Sequence, residues 1–190
     1  MKKYLTGFLF VLFLAAAISA QTDKTVEKIR TIYNEISEKA RAAEEEDDQG
    51  EFGDLVMNEL VINKRRHQWR AVGNFGLTYK FFYNGGGSEA RMYPDELVMV
   101  KVEKVISQRK YWEEFLYDKS GALIFYFQKA ENDDQVPAER RVYFSLGRAV
   151  RVVEDDKKRD KLNIKDTAAV KEITADSVKI KDLFNKSIKL

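Results

Sequence analysis

The 190-residue sequence has no cysteine, one histidine and two prolines. Without cysteine there is no disulfide, no thiolate nucleophile, no cysteine-ligated zinc and no lipid-modified amino-terminal cysteine. With His67 as the single imidazole, multi-histidine metal centres are excluded, and any serine–histidine pair would have to run through that one residue. Ser88, Ser107, Ser120 and Ser145 stand in no G-x-S-x-G elbow or other hydroxyl-activating motif. The stretch Asn84-Gly85-Gly86-Gly87-Ser88 reads as a loop, and it lacks the lysine and hydroxyl pair that make a glycine-rich turn a phosphate cradle. No cofactor is expected.

An excess of one charge is also missing. The chain carries 33 basic and 31 acidic residues. Lys2 and Lys3 are the only charges in the first twenty positions, so beyond them basic and acidic residues are equal at 31 each. A neutral chain has no overall electrostatic footprint for nucleic acid, which excludes that partner.

Long hydrophobic runs are limited to one. Met1-Lys2-Lys3, then Phe8 to Ala17, then Ile18-Ser19-Ala20 have the charged, apolar and small-residue regions of a secretory signal peptide cleaved after Ala20. An uncleaved anchor is the weaker reading, because the apolar core falls short of the ~20 residues a spanning helix needs. No later segment is apolar enough to span. The expected organisation is a signal peptide over 1–20 and a single α+β domain over 21–190, large enough to bury about 70% of its unfolded surface without covalent staples. Export without disulfides places it in a bacterial periplasm or the outside medium.

What is present is dominated by Leu97 to Val153. Val98, Val100 and Val102 alternate with Met99, Lys101 and Glu103 at the period of a strand. Tyr111 to Tyr117 is an aromatic strand, and Asp118-Lys119-Ser120-Gly121 is the turn of a hairpin. The returning strand sets Leu123, Phe125 and Phe127 against Ala122, Ile124 and Tyr126, apolar on both faces and therefore covered on both. Arg140 to Phe144 and Ala149 to Val153 flank Leu146-Gly147 as a second hairpin. Connections this short allow no crossovers, so the sheet is antiparallel. Upstream, Leu55 to Ile62 and Trp69 to Tyr83 supply two more strands, the second interrupted by Gly73 and Gly76 as at a bulge or bend.

Helical spacing appears at both ends of the domain. Val26, Ile29, Tyr33, Ile36, Ala40 and Ala43 form one stripe, with Thr22 or Asp23 as cap. Val170, Ile173, Ile180, Phe184 and Ile188, with Leu183 beside them, form a second, capped by Asp166 or Thr167. The expected fold is an amino-terminal amphipathic helix on a curved antiparallel β-meander of about six or seven strands, with the carboxyl-terminal helix closing an end or edge. Glu44-Glu45-Glu46-Asp47-Asp48 lacks the spacing of a calcium loop and reads as a solvated charge run.

Paired carboxylates are the only remaining route to an enzyme. Glu113 and Glu114 point to opposite faces of a strand, while Glu103 and Glu113 are candidates for cross-strand neighbours. The favoured reading pairs these acids with Lys101, Arg140 or Arg141, which makes the chain a non-catalytic binding or accessory protein. The alternatives are a carrier of lipid or another apolar ligand in a half-barrel groove and, behind it, a carboxylate-dependent hydrolase. Contact with an envelope protein, glycan or apolar ligand is expected at Lys64, Arg65, Arg66 and Trp69 with Tyr79, Tyr83 and Tyr93, where cations and flat aromatic area surround the glycine loop.

Overall fold

The computed structural model describes residues 2–45, 55–84 and 96–188, with side chains from residue 21 onward. Helix α1 (Lys2–Glu45) is followed by β1 (Val56–Ile62), β2 (Gln68–Trp69), β3 (Gly73–Tyr83), β4 (Leu97–Ile106), β5 (Arg109–Tyr117), β6 (Leu123–Glu131), β7 (Glu139–Ser145), β8 (Arg148–Glu154), β9 (Lys157–Arg159) and helix α2 (Ile164–Ile188). Strands β1 and β3 to β9 pair in chain order and everywhere antiparallel, and β2 forms a small hairpin with the start of β3. The fold is the expected α+β meander, with β2 and β9 as additional strands. Three residues of β9, all basic, form a short charged sheet edge, a form that discourages pairing with other chains.

Register assigns each helix its own face. One row across the sheet reads Phe81, Val100, Phe115, Tyr126, Val142, Val152, Arg159, and its apolar members pack against Ile173, Ile180 and Phe184 of α2. The adjacent row reads Phe82, Met99, Leu116, Phe125, Tyr143, Arg151, and packs against Val26, Ile29 and Ala40 of α1. The carboxyl-terminal helix, expected at an end or edge, therefore covers a whole face opposite α1, and the sheet is the middle of three layers.

Three irregularities in register, at Phe82/Tyr83, Leu116/Tyr117 and Tyr143/Phe144, line up at the end of the sheet that holds the β5–β6 and β7–β8 turns. Aligned bulges bend neighbouring strands together. They also break the simple alternation. Val98 belongs to the α1 side while Val100 and Val102 lie on the α2 side, and Leu123 packs with the α2 cluster while Phe125 and Phe127 face α1. The bend expected at Gly73 and Gly76 is replaced by these three sites. Gly73 instead starts β3 with φ of 79°.

Both helix starts are tied to the last strands. Arg151, 4% exposed, donates to Asp23 of α1 (2.7 Å) and to Asp160 (2.5 and 2.7 Å). On the other face Arg159 donates to Asp166 of α2 (2.7 Å), whose side chain is 1% exposed, and to Glu154. The cap of α2 is Asn163: its Oδ1 accepts from the Asp166 amide (2.8 Å) and Asp166 Oδ2 accepts from the Asn163 amide (3.0 Å). This is a reciprocal capping box with Asp166 as its third residue, in place of a cap at Asp166 or Thr167. Thr22 and Asp23 do not cap α1, because no glycine or proline interrupts residues 8–49 and the helix runs through them. Among the described side chains, no helix is long and apolar enough to cross a membrane.

Candidate functional site

The β1–β3 connection is a built finger, not a slack tip. Asn63 and Arg66 adopt left-handed φ of 55° and 53°, a region asparagine tolerates better than most residues. Asn63 Nδ2 donates to the carbonyls of His67 (2.8 Å) and Phe75 (2.6 Å), and its Oδ1 accepts from the His67 amide (3.1 Å). The Arg66 amide closes the first turn on the Asn63 carbonyl (2.7 Å), and Val72 closes the second on Trp69 (3.1 Å). The finger is then stapled to the sheet by the Ser107 amide, which donates to the Asn74 carbonyl (2.6 Å). One side chain, that of Asn63, satisfies three backbone groups and so sets the shape of the whole connection.

On this frame stand Lys64, Arg65, Arg66 and Arg70, none with a carboxylate partner among the described residues. Trp69 is 46% exposed and rests on Phe75, ring centroids 4.3 Å apart, with the exposed Val72 beside it. Gly76 lets Arg66 lie flat: a Cβ there would come within 3.1 Å of Arg66 Cγ. Arg66 thereby separates two shallow hollows. One, of about 230 Å³, is bounded by Glu59, Leu77 and Glu103, and the other, of about 130 Å³, by Lys110, Tyr111 and Trp112. The acidic run does not balance the finger through its described members: Glu44 bridges Lys80 (3.2 Å) and Lys101 (3.1 Å), and Glu45 pairs with Arg41 (3.0 Å). Burial alone would raise the Glu44 carboxyl pKa, but the two ammonium groups outweigh it and hold the pKa below the ordinary value.

The other residues expected at the contact lie elsewhere. Tyr79 is half-buried on the α2 face, stacked 5.9 Å from Phe81. Tyr83 is 5% exposed at the far end of β3, against Phe184 and hydrogen-bonded to Asn58 Oδ1 (3.0 Å). At ~3.3 Å per strand residue, the ten positions from Gly73 to Tyr83 separate it from the finger by about 30 Å. Tyr93 and the glycine loop lie outside the described residues. Lys64, Arg65, Arg66 and Trp69 all stand on the finger, Arg66 against Gly76 and Trp69 against Phe75, while Tyr79 and Tyr83 lie farther along β3. Asn63, Arg70 and Val72 belong to the same finger. Of these, Asn63 carries a readable signal, an asparagine placed directly between a strand and a basic run.

Glu59 and Glu103 both line the hollow of about 230 Å³ beside Arg66, and neither has a cationic partner among the described residues. Glu103 pairs across to Trp112 and Glu113 to Val102, one register step from the expected neighbours, so the two acids point to opposite faces. Glu113 accepts from Lys104 (3.3 Å), and Glu114, on the other face, accepts from the Tyr33 hydroxyl (2.6 Å). Burial and then the Glu114 charge push the Tyr33 hydroxyl above its ordinary pKa, which keeps it a donor. Lys101, Arg140 and Arg141 are taken by Glu44, Glu154 and Glu139 respectively. No cluster of three or more histidine, aspartate or glutamate side chains suited to a metal occurs among the described residues. No protein-family model, curated protein or solved structure matches the chain.

Proposed function

We propose that the chain is an exported, non-catalytic binding module whose finger, Asn63 to Val72, docks on an anionic glycan of the bacterial cell envelope. The observation that carries this reading is that one loop, its backbone held by Asn63, presents a half-exposed tryptophan and four cationic side chains that have no carboxylate partner among the described residues. Lysine and arginine that only solvate a fold are usually free to move. Here the backbone that carries them is held by Asn63, and Trp69 adds a flat apolar face that suits a sugar ring at little entropic cost. Arginine suits carboxylate or phosphate substituents on such a polymer through its planar donor fork. The engagement of Glu113 by Lys104 and of Glu114 by the Tyr33 hydroxyl supports binding over hydrolysis. Both faces of the sheet are filled, with Phe81, Phe82, Phe115 and Tyr143 all inaccessible, which favours a surface contact over carriage inside a half-barrel.

Sedimentation with isolated envelope tests the reading. The triple change Arg65→Ala, Arg66→Ala, Trp69→Ala is expected to abolish retention on the glycan fraction, with melting temperature nearly unchanged and retention falling steeply with salt. Retention on protein or lipid fractions in place of glycan, or retention that survives the triple change, would overturn it.

A further inference from the structure

At the opposite end of the strands from the finger, α1 and the β6 to β8 region border an open groove of about 480 Å³. Its apolar wall is Ile29, Ile32, Ile124 and Phe144, and the β7–β8 turn forms its lip at Leu146. Beyond Ile32 and Ile124 the same flank of α1 continues into a second hollow of about 420 Å³, bounded by Ile36 and Val98 and rimmed by Glu35, Glu96 and Lys119. From Gln21 to Lys39 this flank spans 19 residues, about 27 Å of helix. The space is long and carries isoleucine and valine side chains along its base.

Two observations specify what it takes. Lys24 and Lys28 stand one helical turn apart on the lining of the groove, and neither has a carboxylate partner among the described residues. Like charges at that spacing repel, so the pair is a cost to the free helix that an anion between them relieves. The one acid on the lining of this groove, Asp118, is engaged: its Oδ1 accepts from the Ser120 amide (2.9 Å), the Ser120 hydroxyl (2.6 Å) and the Ala122 amide (3.0 Å). The second observation is Leu146. It is fully exposed and held at a left-handed φ of 51°, followed by Gly147 at 72°, in a two-residue turn where asparagine or glycine is the unstrained choice. A large apolar side chain kept in a strained, solvated position beside an apolar groove is explained by a ligand that covers it.

We infer that this groove binds a single acyl chain ending in an anionic headgroup. The headgroup sits between Lys24 and Lys28, the chain lies along Ile29, Ile32 and Ile124, and Leu146 folds over it. Carboxylate and phosphate headgroups share this chemistry. The site is independent of the finger and uses none of its residues.

The test is an NMR titration of the exported protein, labelled at isoleucine methyl groups, with dodecanoate and dodecyl phosphate below their micelle concentrations. Saturable shifts are expected at Ile32 and Ile124, with Ile62 and Ile106 at the far end of the sheet unmoved. The tighter of the two ligands identifies the headgroup. Dodecyltrimethylammonium, with the same chain and opposite charge, should not bind. The double change Lys24→Gln, Lys28→Gln should weaken dodecanoate at least tenfold. Leu146→Asn should weaken it several-fold while the melting temperature holds or rises, a pairing that a purely structural role for Leu146 does not produce. Absence of saturable shifts, equal binding of the cationic amphiphile, or affinity indifferent to both variants would overturn the inference and leave the glycan reading untouched.

Discussion

Arginine is used in opposite ways at the two edges of this sheet. At the β7–β9 edge, Arg140, Arg151 and Arg159 are all paired, with Glu154, with Asp23 and Asp160, and with Asp166 and Glu154. At the β1–β3 edge, Arg65, Arg66 and Arg70 have no carboxylate among the described residues, although their loop is as firmly built. The first group connects layers of the fold, and the second is presented to the outside. A count of charges does not separate the two uses; their partners do.

The largest test of this contrast is Arg159→Met. It leaves the Asp166 carboxylate buried with its guanidinium gone, which costs about 3 kcal/mol, the lower end of the range for a broken buried pair because Asp166 lies at the margin of the core. Urea unfolding measures it. A loss under ~1 kcal/mol would mean that the capping box alone holds α2.

Acid should act on the same edge. Arg159 holds the Asp166 carboxyl below its ordinary pKa, and Arg151 does the same to Asp160 and Asp23. A depressed folded pKa means that the unfolded chain binds more protons. The stability from these pairs is therefore complete above the ordinary value of 3.8 and is lost as pH falls through the lower folded values. Melting temperature is expected to be flat between pH 7 and 5 and to drop below 4, with a shallower drop in Arg151→Met.

At the other edge, Asn63→Ala should cost about 1–2 kcal/mol, from lost hydrogen bonds and a left-handed residue that alanine tolerates poorly. Envelope retention should fall although no cation has been removed, which separates a shaped finger from a mere charge patch. The smallest expected change is Arg65→Ala with Arg66→Ala, within ~0.5 kcal/mol of the parent in urea. A larger loss would make these arginines part of the fold and erase the contrast between the edges.

Much of the fold was legible because its signals are local. Alternation and turn chemistry marked the strands from Leu97 to Val153, and the two apolar stripes marked the helices. The apolar content on both sides of Leu123 to Phe127 already called for two covering layers. The place of α2 was hidden because its buried stripe includes Asp166 and Ser177, polar residues that only tertiary partners make compatible with burial. Bulges were hidden because one extra residue moves the following side chains to the other face without changing composition. At the candidate site the basic run and Trp69 could be read directly. That Tyr83 is core could not, since a tyrosine hydroxyl satisfied by Asn58, on the paired strand, looks the same in sequence as one left in water.

Pairing in strict chain order also sets an order of events during folding. Each strand from β3 onward finds its next neighbour a few residues away or across one loop, so the sheet grows by short loop closures, a topology associated with fast folding. Helix α1 is different: its contacts to Tyr143 and Arg151 span 113 and 128 residues, and they form only after β7 and β8 exist. Helix α1, which precedes every strand in the chain, is thus among the last elements to find its place. Weakening the Asp23–Arg151 contact should accordingly speed unfolding and leave the folding rate almost unchanged.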